Sequence, residues 1–170
     1  ASKQAAVSLR EMLGTTAEHV ERIARNLRPG VLDHLGLPAV LRNTSREFAD
    51  RTGVSVKLAL AKLTVRLPAE IELTLYRILQ EALRNVEQHA RARHVTVGLK
   101  KQDGTILLAI KDDGIGFDPA RRAAADRQSG GLGLIDMRER AAYVDGTFEI
   151  QSARRAGTGI EVRIPLTKPA

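Results

Sequence analysis

The segment QEALRNVEQHA, residues 80–90, carries a carboxylate, a carboxamide and an imidazole at intervals of four residues, on Glu81, Asn85 and His89. Apolar residues recur around them at helical spacing, which predicts an amphipathic helix over 68–90 with the three polar groups in one column. The amide oxygen of Asn85 is a donor of the hard kind that Mg²⁺ prefers. On its own, the column is better explained as a solvated polar face, which any amphipathic helix has.

Outward from this helix, the sequence alternates predicted strands and predicted helices. Apolar alternation between glycine-containing turns predicts strands at 54–60, 95–99, 105–110, 147–152 and 160–166. Helical periodicity predicts two shorter helices at 37–50 and 134–144. This order predicts an α/β (α+β) two-layer sandwich, in which a mixed, largely antiparallel five-stranded sheet has helices on one face.

A glycine-punctuated segment follows the third predicted strand and reads Asp112-Asp113-Gly114-Ile115-Gly116. A carboxylate at the end of a strand can accept a hydrogen bond from an exocyclic amine such as that of adenine. Glycines two and four positions later let a flat base approach the backbone, because they have no Cβ. The alternative is an ordinary glycine turn beside an exposed acidic pair.

A second glycine-rich segment, Gly130-Gly131-Leu132-Gly133-Leu134, opens the predicted helix 134–144. Glycine-rich backbone at a helix N-terminus presents unpaired N–H groups, which suit phosphate oxygens. Taken alone, the segment is equally consistent with a flexible loop.

The first thirty residues differ in pattern from the rest. Apolar residues alternate spacings of four and three over 2–27, which predicts a long helix with the narrow seam of a helical bundle or coiled coil. Pro29 and Gly30 end it. A seam of this kind needs a partner helix. We therefore expect 1–30 to be part of a dimerisation stalk and 31–170 to be a separate domain.

Composition excludes several classes of function. The 170 residues contain no cysteine, which removes disulfide, thiol and zinc–thiolate chemistry. Aromatic residues make up 3%, too few for a platform that stacks nucleic-acid bases, and the net charge of +7 is scattered. No apolar run approaches the roughly 18 residues of a membrane span, and the start is no secretory signal. We expect a cytoplasmic chain that does not bind nucleic acid.

In their order along the chain, the three polar segments resemble the N, G1 and G2 boxes of the GHKL ATP-binding superfamily, which includes gyrase, heat-shock chaperone, histidine kinase and MutL types. The finer similarity is to sensor histidine kinases whose partners are response regulators of the NarL/LuxR type. Residues 80–90, GLIDMRERA at 133–141 and LRPGVLDHLGL at 27–37 all resemble that class.

The resemblance implies a Bergerat-type ATP fold and a role for each base-side residue. Asp112 would bind the adenine amino group. Gly114 and Gly116 would form the floor of the base pocket. The lid over the nucleotide would run over roughly 118–130.

It also implies roles at the phosphates. Asn85 would hold Mg²⁺, with His89 close to the phosphate path. Gly131, Gly133 and Leu134 would hold phosphates at the end of the lid. Glu81 stands where ATP-hydrolysing relatives keep a water-activating base, and in this class it would assist the acceptor histidine as base or orienting group.

The sequence also departs from the class. The acceptor there is a histidine followed by an acidic residue on an earlier helix, and no His-Asp or His-Glu pair occurs in this sequence. We expect that helix to precede Ala1 in a longer chain, so that this chain alone does not autophosphorylate. Asp136 and Ile160 replace a common glycine and a common threonine, and either change would weaken nucleotide affinity.

The implied function is that of the ATP-binding catalytic domain of a two-component sensor histidine kinase. The whole protein would move the γ-phosphoryl of Mg·ATP to a histidine of its own acceptor-helix domain, as a homodimer, and then to an aspartate of the regulator. The parent protein could be membrane-anchored. Three alternatives remain: an ATPase clamp in which Glu81 activates water, an anti-sigma serine kinase, and a degenerate scaffold that dimerises without nucleotide.

Overall fold

Alternating apolar side chains on five strands build one continuous layer. In the computed structural model, which describes residues 30–64, 66–119 and 133–166, the strands form a single sheet in the order β1-β2-β3-β5-β4. Their bounds are β1 Ser55–Leu60, β2 His94–Gln102, β3 Thr105–Asp112, β4 Thr147–Ser152 and β5 Thr158–Pro165. β1 pairs with β2 in parallel, and the other three pairs are antiparallel. The mixed, largely antiparallel five-stranded sheet is therefore confirmed.

Helices cover the apolar face of this sheet. They are α1 Gly30–Leu35, α2 Leu37–Thr52, α3 Ala69–Asn85, a π-helical turn π1 Val86–Ala90, and α4 Gly133–Tyr143. α3 lies at the centre, since it contacts α2, α4, β3 and β5. Fully buried side chains on both layers meet there, among them Leu75, Ile78 and Leu79 of α3 with Leu99 and Leu108 of the sheet.

Most of the predicted elements are present with shifts of one or two residues at their ends. The hairpin between β2 and β3 turns at Asp103 and Gly104, both at positive φ, as the Asp-Gly pair predicts. Two features differ: α1 had not been predicted, and the helix expected over 68–90 changes to π geometry after Asn85. The predicted helix 2–27 lies outside the described residues. None of the described helices is long and apolar enough to cross a membrane.

The register places several candidate residues at one end of the sheet. Asp112 at the end of β3 is paired with Val95 near the start of β2 and with Thr158 at the start of β5. Thr158 in turn is paired with Ser152 at the end of β4. The loop after β3 leaves the sheet at this end and contacts Ala90, the last residue of π1.

Candidate functional site

The start of α4 lies directly against α3. A Cβ built on Gly133 would come 2.5 Å from Oε1 of Glu81, so these two residues are in contact without room for a side chain between them. Glu81 lies in the penultimate turn of α3, and its side chain is 21% exposed, with Arg84 Nη1 4.0 Å from its other oxygen. A glycine at a helix N-terminus thus meets a solvent-accessible carboxylate, which brings two of the three predicted segments together.

The carboxylate of Asp112 is buried at the end of β3, with the residue 6% exposed. Its Oδ1 accepts a hydrogen bond of 2.8 Å from the backbone N–H of Gly114. Burial raises the pKa of Asp112 above its usual value, and it outweighs hydrogen bonds from Gly114 and Thr158, which act in the opposite direction. The carboxylate of Asp112 is therefore a hydrogen-bond acceptor that is already shielded from water without a bound ligand.

The loop after β3 packs against the end of π1. The N–H of Ile115 donates to the carbonyl oxygen of Ala90 at 2.8 Å. A Cβ on Gly114 would collide with that same carbonyl and come 2.8 Å from both the Ala90 Cβ and Asp112 Oδ1. Gly114 is therefore required by close approach, and the contact attaches the Asp112 loop to the helix that carries Asn85.

The far side of this loop is attached to the β4–β5 connection. Gly116 has φ +57°, and a Cβ there would come 2.8 Å from the carbonyl oxygen of Gly157 and collide with that of Ala153. The hydroxyl of Ser152 accepts from the N–H of Phe117 at 2.9 Å and lies 2.9 Å from the Gly157 carbonyl oxygen. These contacts hold the loop from both sides, so its shape is fixed by the surrounding backbone.

Asn85 is the last residue of α3 and is partly exposed. The next five residues form π1, and a π turn interrupting an α-helix is often found at functional sites. The α-helical spacing that predicted a single column therefore applies to Glu81 and Asn85, while His89 lies in the π turn and is exposed.

Leu134, next to Gly133, is partly buried against the core. Gly131 and most of the predicted lid lie outside the described residues.

Sequence reasoning missed the second carboxylate of the loop. Asp113 Oδ1 accepts hydrogen bonds from the N–H groups of Arg93 and His94 at 2.8 and 2.9 Å, and its Oδ2 lies 2.7 Å from His94 Nδ1. These hydrogen bonds, with His94 contributing most, lower the pKa of Asp113 to about 2. Asp113 connects the loop to the start of β2. The adjacent acidic pair in the sequence gave no sign that one carboxylate is buried and that the other accepts hydrogen bonds from the backbone of Arg93 and His94.

The side-chain oxygens available here fit Mg²⁺ only if a bound ligand completes the coordination shell of the metal. Among the described residues no group of three or more His, Cys, Asp or Glu side chains could hold a metal ion. Asn85 and Glu81, one α-helical turn apart, offer one amide oxygen and one carboxylate. Mg²⁺ usually takes one or two protein oxygens and completes its shell with water and phosphate. The residues present fit a metal that arrives with a polyphosphate.

Comparison with known proteins agrees with this arrangement. Residues 70–168 match the family described as "Histidine kinase-, DNA gyrase B-, and HSP90-like ATPase". Among curated proteins, the chain is 39% identical over 155 residues to the sensor histidine kinase MctS of Rhizobium johnstonii, covering 91% of this chain and 33% of that protein. It is 35% identical over 159 residues to the signal transduction histidine-protein kinase/phosphatase DegS of Brevibacillus brevis, covering 94% and 40%. The chain thus spans well under half the length of these relatives.

Solved structures show the same fold. The Acinetobacter baumannii histidine kinase AdeS superposes with a TM-score of 0.65 at 15% identity, over 95% of this chain and 83% of that one. The histidine kinase domain from the Erythrobacter litoralis EL346 blue-light activated kinase gives 0.62 at 22% identity, over 76% and 61%. The two-layer fold predicted from the sequence is confirmed by these likenesses.

Proposed function

Because this chain belongs to the histidine kinase-, DNA gyrase B-, and HSP90-like ATPase family, we propose that its domain binds Mg·ATP as the catalytic domain of a two-component sensor histidine kinase. The observation that carries the proposal is a pair of contacts, one on α3 and one on π1, which continues it. Glu81 meets Gly133 near the end of that helix, and Ala90, just beyond it, meets Gly114. Gly133 and Gly114 thereby contact residues that lie before and after Asn85 in the chain.

The adenine end is bound by Asp112. Its buried carboxylate accepts a hydrogen bond from the exocyclic amine, and the N–H of Gly114 is already paired with it. A hydrogen bond to a charged group contributes roughly 1.5–3 kcal/mol, and guanine presents an oxygen where adenine presents this amine. The site therefore selects ATP over GTP. Gly114 and Gly116 let the loop that carries Asp112 pack closely against the carbonyl groups of Ala90 and Ala153, because a Cβ at either position has no space, and the loop held in this way forms the floor of the base pocket.

The phosphate end is bound by Asn85 and by the start of α4. Asn85 gives its side-chain oxygen to Mg²⁺, which neutralises charge on the phosphates, and His89 lies beside their path. Gly131, Gly133 and Leu134 supply backbone N–H groups at a helix N-terminus, where the helix dipole favours negative charge. Phosphoryl transfer depends chiefly on such positioning and charge neutralisation.

Glu81 has the position of a general base or orienting group. Its carboxylate is accessible and is held between Gly133 and Arg84. In the whole protein it would face the acceptor histidine, which we place on a helix outside this chain. The γ-phosphoryl passes to that histidine and then to an aspartate of a response regulator.

The finer assignments rest on sequence resemblance. Residues 27–37 and 133–141 support a regulator of the NarL/LuxR type, and the seam over 2–27 supports a homodimeric stalk ending near residue 30, with the catalytic domain from 31 onward. The intracellular ATP supply that such a domain needs supports a cytoplasmic location.

The test is incubation with ATP labelled at the γ-phosphate. The chain alone is expected to gain no acid-labile label, whereas the full-length parent dimer gains it and loses it when Asn85 or Asp112 is substituted. Acid-labile label on the chain alone would overturn the assignment of the acceptor to another segment. Steady ATP hydrolysis by the chain that disappears in Glu81→Gln would favour an ATPase clamp instead.

A further inference from the structure

A second concave site lies at the other end of the domain. It is a cavity of about 520 Å³ between the start of α2, the end of β1 and the connection that leads to α3. Its apolar lining comes from Leu35, Leu37, Pro38, Ala39, Leu60 and Leu63. Leu35 at its rim is 57% exposed, one of the few large apolar side chains in the described residues that are so exposed. The volume lies in the range of roughly 300–1,000 Å³ that small-molecule sites occupy.

Three cations from two segments line the same cavity. Arg42 comes from α2, and Lys62 and Arg66 come from the connection after β1. The lining contains a single carboxylate, that of Glu72. It is 2% exposed and forms an ion pair with Arg66 at 3.3 Å. Arg66 also donates to the carbonyl oxygen of Leu32. Within the described parts of the chain, neither Arg42 nor Lys62 has an ion-pair partner.

Apolar walls with unpaired cations define the chemistry of an occupant. Arg42 and Lys62 are exposed, so a purely apolar ligand would gain nothing from their charges, and a small inorganic anion would leave the leucine-lined wall wet. A ligand with one carboxylate and a short aliphatic body satisfies both. We propose that this cavity binds a small amphipathic carboxylate, with its charge at Arg42 and Lys62 and its aliphatic part against Leu37, Leu60 and Leu63.

This site is separate from the nucleotide site. Glu72, which lines the cavity, lies in the first turn of α3, and Asn85 ends the same helix. Thirteen residues at about 1.5 Å each place them roughly 20 Å apart. Binding here goes beyond the proposed kinase function and is measurable without nucleotide, so failure of one proposal leaves the other standing.

The experiment is an NMR titration of the ¹⁵N-labelled 170-residue chain with sodium octanoate, with octan-1-ol and acetate as probes that lack the charge and the aliphatic body. Saturable shifts are expected for backbone amides of 35–42 and 60–64, with a dissociation constant of about 1 mM or below. The double variant Arg42→Gln/Lys62→Gln is expected to weaken octanoate binding about tenfold or more, as loss of charge-assisted contacts implies. Ala39→Leu, which fills the cavity without a charge change, is expected to weaken it as well.

The matched control is Arg46→Gln/Lys57→Gln. Arg46 lies one turn after Arg42 on α2 and Lys57 lies on β1; both are exposed and neither lines the cavity. This control is expected to bind octanoate as the unmodified chain does. The proposal is overturned if octanoate shows no saturation at about 10 mM, if octan-1-ol binds equally well, or if both double variants weaken binding alike. Tighter capture of an acidic, leucine-containing peptide than of octanoate would assign the site to a protein partner and overturn it too.

Discussion

Gly133 and Glu81 are in contact: a Cβ on the glycine would stand 2.5 Å from a carboxylate oxygen of the glutamate. The contact joins the N-terminus of α4 to the penultimate turn of α3. Any side chain at 133 must move Glu81, and the atom that moves is the far end of a flexible side chain. The contact therefore constrains the position of the Glu81 carboxylate more than it constrains stability.

Gly133→Ala is accordingly expected to impair function with little loss of stability. The free energy of unfolding should fall by less than about 1 kcal/mol, since the carboxylate can rotate away. Mg·ATP affinity and phosphoryl transfer in the full-length parent should fall about tenfold or more, because Glu81 is displaced together with the start of α4, where we propose that the phosphates bind. Calorimetry and chemical denaturation measure the two effects.

Gly30→Ala is the matched control, because a Cβ at this helical glycine meets nothing within 4 Å. It should leave nucleotide affinity unchanged. Equal loss of ATP binding in both variants would show that the Gly133 contact has no special role.

Gly114→Ala is expected to behave differently, with a loss of stability as well as of binding. Its Cβ would collide with the backbone oxygen of Ala90, which belongs to π1 and cannot rotate away. Overpacking of this kind costs roughly 1–3 kcal/mol. Denaturation in urea without nucleotide measures it, and a variant as stable as the parent chain would contradict the close approach seen here.

Asp112→Asn is expected to lower the affinity for ATP without lowering the free energy of unfolding. Burial raises the pKa of Asp112, so the ionised carboxylate is held at a cost in the free domain. Removing the charge should leave the free energy of unfolding unchanged or higher, while ATP affinity falls about tenfold or more through loss of a charge-assisted acceptor. A variant that loses stability and keeps its affinity for ATP would reverse the assignment.

The lowered pKa of Asp113 predicts how the stability of the fold depends on pH. Hydrogen bonds from His94 and Arg93 lower its pKa from 3.8 to about 2. A lowered carboxylate pKa stabilises the folded state above the unfolded-state value, and that contribution is lost as the pH falls toward 2. Asp113→Asn should therefore be less stable than the parent chain at pH 6, and the difference should shrink between pH 4 and 2. Denaturation curves for both chains across this range measure it; a difference that stays constant with pH would exclude these hydrogen bonds as its cause.

The sequence predicted local features well because their causes are local. The Asp103-Gly104 turn has positive φ at both residues, and the apolar alternation of β1 to β5 appears in their burial. Contacts between residues that are far apart in the chain could not be predicted from local sequence patterns. Nothing local to Glu81 indicates Gly133, 52 positions later, as its neighbour. The π turn after Asn85 was also missed, because its apolar spacing fits an α-helix and the ties of Ala90 to Gly114 and Ile115 come from tertiary packing.

Asp112 and Asn85, as we propose, bind the two ends of one ATP molecule, and the decisive measurement is calorimetric titration of Asp112→Asn and Asn85→Ala with ATP and GTP, with and without Mg²⁺. Asp112→Asn is expected to lose the preference for ATP over GTP while keeping the dependence on Mg²⁺. Asn85→Ala is expected to lose the dependence on Mg²⁺ while keeping the base preference. If Mg·ATP affinity, base preference and metal dependence are all unchanged in either variant, these two residues do not bind the two ends of one ATP molecule.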